Sequence, residues 1–146
     1  MTTGSKGIHV VVPLKRNYAF DSVRQFAKNI ATVLVNKYPE KFTLEVRKKK
    51  RGKHIFIDIL RNAFGQTGVA PYSIRPKENA PVATPLFWDE VKDFKLTPTK
   101  YTIKNIFKKL EADGDPWKNI NKYACSIDSA QKKLEAMLWN LPIQVN

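Results

Sequence analysis

The chain has 146 residues, and a compact fold of that length buries roughly 70% of the surface that its extended form would expose, so a sizeable core is expected. Hydrophobic residues make up 42% and charged residues 27%, which excludes a disordered chain, while one cysteine and two histidines exclude an internal disulfide and a zinc cluster. The 26 basic residues outnumber 13 acidic ones and leave a charge of +13, which favours a nucleic-acid or nucleotide partner, with solubility alone as the alternative.

The first two predicted elements are a buried strand and an amphipathic helix. Residues 8–14 (IHVVVPL) form a short β-branched run that ends in a proline and a basic turn, a pattern typical of a mostly buried strand. From Ser22 to residue 37, apolar residues recur at helical spacing, with Asp21 as the predicted N-cap and Tyr38-Pro39 as the stop. This helix is expected to cover one face of a sheet.

The clearest second strand is residues 54–60 (HIFIDIL). In an extended chain its three isoleucines point to one side and Asp58 to the other, because successive side chains alternate across a strand. A shorter strand is predicted at residues 43–46. The basic run between them, residues 47–53 (RKKKRGK), has no apolar face and is expected to be solvated or bound to anions.

The remaining sequence predicts a proline-rich surface excursion and three helical segments. These are the excursion at residues 76–85, a helical turn at 88–91, a helix at 103–111 capped by Thr102, and a last helix at 127–139. The fold class expected is therefore α+β, a single domain over residues 1–146 with a small, mostly antiparallel sheet that holds strands 8–14 and 54–60. His9 and Asp58 are expected to share the open face of that sheet.

Residues 3–9 (TGSKGIH) contain the groups that a phosphate site requires. Glycines let the backbone approach closely, Ser5 supplies a hydroxyl and Lys6 supplies a positive charge. The loop leads into a strand, unlike the Walker loop, which opens a helix, so a flexible turn is the alternative. His9 leaves the apolar face of its strand and is a candidate donor to a phosphate oxygen, or else is satisfied by a neighbouring carbonyl.

Asp58 is a carboxylate inside an apolar strand, where it needs a partner or water. A divalent metal ion that prefers oxygen ligands, an ion pair with Arg51 or Lys53, and solvent exposure all meet that need. Arg51 and Arg75 suit bidentate phosphate contacts, although a surface arginine has the same sequence signal. The basic run at 47–53 is a candidate DNA-backbone contact, with a solvated tether or a mimic of a nuclear import signal as alternatives.

Three segments, taken in this order, resemble the primase-polymerase domain of bacterial ligase D proteins. They are the glycine-lysine-histidine loop TTGSKGIHVVVPL, the strand in RGKHIFIDILRN, and the segment VAPYSIRPKENAPVATPL, followed by EADGDPW. The resemblance covers roughly the first 118 residues and is weak beyond Trp117. It identifies the chain as a partial primase-polymerase domain, the carboxyl-terminal portion.

The resemblance implies a nucleotidyltransferase segment that binds nucleoside triphosphate and DNA ends during non-homologous end joining, with Mn²⁺ or Mg²⁺ as cofactor. Asp58 would be catalytic and would be the third metal-binding carboxylate. The triphosphate-binding or site-organising residues implied by position are Thr3, Ser5, Lys6, His9, Arg51 and Arg75. Thr3 stands where many relatives have serine, and it keeps the hydroxyl.

The main departure is that the family places an Asp-x-Asp pair before the glycine loop, and this sequence lacks it. Asp113-x-Asp115 has the same spacing but is interpreted as a turn that ends a helix. We therefore expect weak or absent metal binding and no polymerase activity from this chain alone, because the mechanism needs its ions held by several oxygen ligands. A separate amino-terminal half and a DNA ligase are candidate partners. The alternative is a non-catalytic nucleic-acid-binding module or a remnant.

The predicted location is the bacterial cytoplasm, in association with the nucleoid. No apolar run approaches the roughly 18 residues that a bilayer span requires. The glycine-rich start is followed by only a short apolar stretch without a cleavage-like site, so a secretory signal is not predicted either.

Overall fold

A computed structural model describes residues 1–139, which form two compact units. The first unit joins residues 1–14 to residues 68–124, and the second joins residues 15–67 to residues 125–139. Each unit is described by itself, and the single domain expected over residues 1–146 stays a prediction. No helix in residues 1–139 combines the length and the apolar character needed to cross a membrane.

The chain is α+β, with four helices and one small sheet among the described residues. The elements are α1 (Phe20–Lys37), β1 (Phe42–Thr43), β2 (Ile55–Phe56), α2 (Trp88–Val91), α3 (Ile106–Asp113) and α4 (Asp128–Trp139). Short 3₁₀ turns occur at Lys48–Lys50, Leu60–Asn62 and Ile120–Tyr123.

The second unit is organised by α1, which packs against α4 and β1. Ala31 on α1 is fully buried and Ile127, just before α4, is 2% exposed. The Tyr18 hydroxyl accepts a hydrogen bond from the Ile127 amide at 3.1 Å and donates one to Asp128 at 2.9 Å, which fixes the start of α4. Both predicted helices are therefore confirmed. The predicted cap is wrong: α1 begins after Ala19, and Asp21 lies in its first turn.

The predicted antiparallel sheet is wrong. The sheet consists of β1 and β2, which are parallel, with Phe42 opposite Ile55 and Thr43 opposite Phe56. The connection from residue 44 to residue 54 contains the three-lysine 3₁₀ turn and is long enough to return the chain in the same direction. The expected strand at 8–14 is reduced to isolated bridges at its two ends, at Ile8, which pairs antiparallel with Thr2, and at Leu14.

The strand expected at residues 54–60 is also shorter than predicted, because Asp58 ends it. The Asp58 Oδ1 atom accepts a hydrogen bond from the Leu60 amide at 2.9 Å, which closes an aspartate turn. Ile59 already has helical backbone angles, and the Leu60–Asn62 turn follows. The expected isoleucine face does not form, since Ile55 is 63% exposed.

Residues 81–86 form the core of the first unit, where the sequence predicted a surface excursion. All six are buried. The Val82 amide donates to Tyr101, the Ala83 amide to Ser73 and the Thr84 amide to Thr2, at 2.8, 2.9 and 3.2 Å. Pro81 and Pro85 have no amide to satisfy, so at these two positions the backbone is buried without an unpaired donor.

An ion-pair network joins α2 to α3 in the same unit. Lys109, whose side chain is 4% exposed, lies 3.2 Å from Glu90 and 3.7 Å from Asp113. Glu90 also accepts hydrogen bonds from the Tyr101 hydroxyl at 2.6 Å and the Phe87 amide at 2.7 Å. Burial acts to raise the pKa of Glu90, but these hydrogen bonds and Lys109 outweigh it and hold that pKa below its ordinary value.

The helix expected at residues 103–111 starts later, at Ile106. The Thr102 amide donates to the Asn105 side chain at 2.7 Å and the Thr102 hydroxyl accepts from the Lys104 amide at 3.2 Å, so residues 102–105 form a turn in place of the first helical turn. The predicted cap at Thr102 is therefore replaced by Asn105. The helical turn predicted at residues 88–91 is confirmed by α2.

Candidate phosphate-binding site

The glycine loop, residues 3–7, is closed by the side chain of Thr3. Its hydroxyl donates to the Gly7 carbonyl at 2.9 Å and accepts from the amides of Ser5 and Gly7 at 3.2 and 3.3 Å. Gly4 has a φ of +62°, a left-handed angle that favours glycine. Thr3 thus uses its hydroxyl to shape the loop, while among residues 1–139 the amides of Gly4 and Lys6 donate no hydrogen bond.

The loop lies directly on Arg75. A Cβ added to Gly4 would lie 2.6 Å from the Arg75 Cγ and 3.3 Å from both the Pro81 carbonyl oxygen and the Ala83 nitrogen. The Arg75 backbone is fixed in turn, since its amide donates to Pro81 at 2.8 Å. Only glycine allows the loop to approach this closely, so the glycine loop and Arg75 form one local structure.

Arg75 carries an unsatisfied donor in this structure. Its Nε atom is buried and has no hydrogen-bond partner among residues 1–139. Buried polar groups are satisfied in the great majority of cases, and an exception suggests a missing acceptor such as a ligand, an ion or water. A guanidinium group beside a glycine loop is suited to a phosphate group, because it presents several donors in a planar fork.

Ser5, Lys6 and His9 belong to the same unit. Ser5 is half-buried, and Lys6 is exposed and forms no salt bridge within the described part of the chain. His9 is half-buried and lies at the wall of an apolar groove, with its amide donating to the Met1 carbonyl at 2.9 Å. The neighbours Ile8 and Val10 are 48% and 80% exposed, so the apolar face predicted for this strand is not buried.

Arg51 and Asp58 lie in the second unit. Arg51 donates from Nε to the Glu45 carbonyl at 2.8 Å and from Nη2 to the Val46 carbonyl at 2.6 Å, and its guanidinium lies 3.8 Å from the centre of the Phe56 ring. Asp58 is exposed. Arg51 therefore holds the two ends of the basic loop together through these hydrogen bonds. Its phosphate role stays a prediction. The shared open face of His9 and Asp58 also stays a prediction.

The described residues do not fit the divalent metal that the resemblance implies. Residues 1–139 contain no group of three histidine, cysteine, aspartate or glutamate side chains that could hold a metal ion. One of the two Asp58 oxygens already accepts from Leu60. Magnesium and manganese require several oxygen ligands in fixed geometry, and a single exposed carboxylate does not supply them.

Asp113 and Asp115 form the turn that the sequence predicted. Asp113 pairs with Lys109 across one helical turn, and Gly114 ends α3 with a φ of +76°. The Asp115 Oδ1 atom accepts from the Tyr72 hydroxyl at 2.5 Å and from the Trp117 amide at 2.9 Å. Both carboxylates thus have structural partners.

Sequence reasoning missed two features of this unit. The first is the direct contact of Gly4 with Arg75, which are far apart in the sequence. The second is the bond from Tyr72 to Asp115, which ties the VAPYS segment to the Gly-Asp-Pro-Trp turn. Burial and the Asp115 carboxylate raise the pKa of Tyr72 above its ordinary value, because both disfavour the phenolate. A positive φ of 62° at Tyr72 has no sequence signal, since tyrosine rarely adopts it.

Residues 1–117 match the family described as LigD, primase-polymerase domain. The chain is 36% identical over 118 residues to the multifunctional non-homologous end joining protein LigD of Pseudomonas aeruginosa, an alignment that covers 80% of this chain and 14% of that protein. It is 37% identical over 116 residues to the bifunctional non-homologous end joining protein LigD of Bacillus subtilis, covering 79% of this chain and 19% of that protein.

A solved structure is similar to this chain in fold as well as in sequence. It is the polymerase domain from Mycobacterium tuberculosis ligase D in complex with DNA, with a TM-score of 0.69 and 27% identity. The similar region covers 77% of this chain and 38% of that chain. The present chain therefore spans well under two thirds of each of these proteins.

Proposed function

Because this chain belongs to the LigD primase-polymerase domain family, we propose that it is a nucleotide- and DNA-binding segment of a repair polymerase acting in non-homologous end joining. One observation carries the nucleotide part of this proposal. The glycine loop lies against Arg75, whose buried Nε has no hydrogen-bond partner among residues 1–139. Because that Nε is buried, a phosphate oxygen would supply the acceptor only once the Arg75 side chain moves outward on binding.

The ligand we propose for the glycine loop is the triphosphate of a nucleoside triphosphate. Lys6 provides an exposed positive charge, and its amide donates no hydrogen bond among residues 1–139. Backbone amides, a lysine and an arginine together match a polyanion with several oxygens on each phosphorus. Thr3 contributes by holding the loop closed.

The DNA part of the proposal is supported by the basic loop of the second unit. Lys48, Lys49 and Lys50 form a 3₁₀ turn, are exposed, and make no salt bridge among the described residues. Arg51 holds this turn by its hydrogen bonds to Glu45 and Val46. Cations kept together without an acidic partner attract a phosphate backbone, and such binding weakens as salt rises.

We propose that the chain does not extend DNA on its own. Catalysis of nucleotide transfer with two metals requires carboxylates that clamp both ions, and Asp58 is the one such candidate that the sequence offers. The activity would then require the Asp-x-Asp segment that the resemblance places elsewhere in the domain. Robust nucleotide addition to a DNA end by the 146-residue chain with Mn²⁺ would contradict this proposal.

Triphosphate binding is tested by calorimetric titration with ATP, in the wild type and in Arg75→Ala and Lys6→Ala. Hydrogen bonds to charged groups contribute about 1.5–3 kcal/mol, so we expect Arg75→Ala to weaken binding by roughly ten- to a hundredfold. The matched control is Arg61→Ala, which removes an equal charge from an exposed arginine bonded to Gln66 at 3.3 Å. Equal affinities in the two arginine variants would refute the assignment of Arg75.

A non-catalytic DNA-binding module is the second candidate, favoured by the organised basic turn. It predicts DNA binding without triphosphate binding. Fluorescence anisotropy with labelled duplex over a range of salt concentrations, set beside the ATP titration, separates the two. Salt-dependent DNA binding with no measurable ATP affinity would favour the module, and no binding to either at low salt would favour a remnant.

A further inference from the structure

The second unit holds most of the positive charge of the chain. Its residues 15–67 and 125–139 contain 15 basic and 6 acidic side chains, a net charge of +9 out of the +13 of the whole chain. Such a charge attracts the phosphate backbone of any nucleic acid, paired or unpaired, because backbone contacts do not read the bases. A feature that distinguishes an unpaired strand from a duplex must therefore contact the bases themselves.

An exposed pair of phenylalanines lies in the same unit. Phe20, the first residue of α1, is 56% exposed, and Phe64 is 81% exposed. Their ring centroids are 5.6 Å apart and the two rings meet edge to face at 77°, a favoured arrangement of two aromatic side chains. Phe64 is thus held by one ring contact while most of its surface stays in contact with water.

The backbone presents Phe64 at the tip of a closed turn. The Gln66 amide donates to the Ala63 carbonyl at 3.1 Å, and Gly65 has a φ of +71°, which a type II turn requires at its third residue. The Arg61 side chain also donates to the Gln66 side chain, at 3.3 Å. A ring that is already held in place loses less conformational entropy when it binds a ligand.

A cation without an acidic partner lies close to this pair in the sequence of α1. Arg24 follows Phe20 by one helical turn, so the two residues share a face of the helix. Arg24 is exposed and makes no salt bridge among residues 1–139. Exposed aromatic rings on a basic surface are the arrangement that binds single strands, because the ring stacks on a base while the cations attract the phosphates.

We propose that Phe64, supported by Phe20, is a stacking site for an unpaired base of single-stranded DNA. The base would lie on the exposed surface of the Phe64 ring, and the adjoining phosphates would be attracted by Arg24. This inference rests on the DNA part of the proposed function and adds to it the form of DNA that the second unit recognises. Every base has a face that can stack, so the site should accept any sequence.

The test measures the affinity of the whole 146-residue chain for a labelled single-stranded DNA oligonucleotide by fluorescence anisotropy. Phe64→Ala should weaken binding by roughly five- to 150-fold, because alanine removes the stacking of one base. Phe64→Trp keeps a ring that can stack and should bind at least as tightly as the wild type. Phe64→Leu keeps an apolar side chain without a ring and should bind as weakly as Phe64→Ala.

An abasic oligonucleotide of the same length identifies the contact directly. It keeps the phosphate charges and lacks the bases, so it should bind the wild type more weakly than the normal strand does. Phe64→Ala should distinguish the two strands far less than the wild type, because the variant and the abasic strand remove the same contact. Losses that add in full would overturn the proposal.

The matched control is Phe94→Ala in the first unit. Phe94 is 91% exposed and its ring centroid lies 5.7 Å from the Lys95 Nζ atom, so it is also an exposed ring beside a cation. The control should bind the single strand like the wild type. An equal loss in Phe94→Ala, or wild-type affinity in Phe64→Ala or Phe64→Leu, would overturn the proposal. A dimer of the chain that dissociates in Phe64→Ala would also overturn it, by identifying a second copy as the occupant.

The outcome is distinguishable from that of the proposed function. Phe64→Ala should leave unchanged the affinity for ATP and for a closed circular duplex, because the glycine loop and the Lys48–Lys50 turn do not include Phe64 and such a duplex has no unpaired end. Replacing the three lysines by alanine should weaken the binding of both the single strand and the duplex. Salt-dependent duplex binding together with an unaltered single-strand affinity in Phe64→Ala would remove the stacking site alone and leave the proposed function standing.

Discussion

Replacing Gly4 by alanine tests the packing of the glycine loop on Arg75. Gly4 has a φ of +62°, and a left-handed angle costs an L-residue about 1–2 kcal/mol. The added methyl would lie 2.6 Å from the Arg75 Cγ, which can move, and 3.3 Å from backbone atoms of Pro81 and Ala83, which are buried and paired. Overpacking of this kind costs about 1–3 kcal/mol, and movement of Arg75 keeps it near the lower end.

The two effects add to a loss of about 2–3 kcal/mol in the free energy of unfolding. Gly7→Ala is the matched control in the same loop, because a methyl at Gly7 meets nothing within 4 Å and its backbone is not left-handed. That control should be neutral or slightly stabilising, since alanine restricts the unfolded chain. Urea denaturation followed by tryptophan fluorescence measures both variants.

The same change should also lower ATP affinity, because the methyl displaces the Arg75 side chain from the loop. We expect the loss to approach that of Arg75→Ala, while Gly7→Ala binds ATP like the wild type. If Gly4→Ala and Gly7→Ala unfold within about 0.5 kcal/mol of each other, the loop does not pack on Arg75 as described and the reasoning is refuted.

Three further predictions concern the ion pairs and the basic loop. The pKa of Glu90 lies below its ordinary value of 4.5, so the ionised carboxylate stabilises the fold above pH 4.5 and this contribution is lost as the pH falls below it. Glu90→Gln should therefore make the urea midpoint fall less steeply in acid. An acid profile equal to that of the wild type would contradict this. Lys109→Met should lower the free energy of unfolding by about 2 kcal/mol at pH 7, because the Glu90 side chain is only 19% exposed and would lose its cation. A free energy of unfolding equal to that of the wild type would exclude the pair as a stabilising contact. Arg51→Lys keeps the charge but loses the bonds to Glu45 and Val46, so duplex affinity should fall in anisotropy titrations; unchanged affinity would mean that Arg51 does not organise the turn.

Local sequence signals predicted the helices of this chain well. The spacing of apolar residues gave α1 and α4 within a few residues of their ends, because an amphipathic helix is specified by its own period. The turn around Gly114 was predictable for the same reason, since a glycine followed by Asp-Pro ends a helix locally. The α+β class followed from these elements.

The sheet could not be predicted in the same way, because strand pairing depends on residues distant in the sequence. The alternation of isoleucines around residue 57 indicated a long strand, yet the Asp58 side chain bonds the Leu60 amide and turns the chain. An aspartate can serve a metal, an ion pair or its own backbone, and the sequence did not distinguish these. Similarly, the prolines at 81 and 85 suggested a surface loop, whereas the missing amides allow that segment to be buried.

In the candidate site, the residue types could be read from the sequence but their surroundings could not. The sequence predicted Arg51 and Arg75 equally as phosphate ligands. In the structure Arg51 gives two of its donors to backbone carbonyls and stacks on Phe56, while Arg75 keeps a buried Nε without a partner among residues 1–139. A guanidinium that already gives two of its donors to backbone carbonyls gains less from a phosphate than one with a buried, unbonded Nε, because part of its desolvation penalty is already offset. If the chain binds a triphosphate as proposed, we therefore expect that binding to depend more strongly on Arg75 than on Arg51.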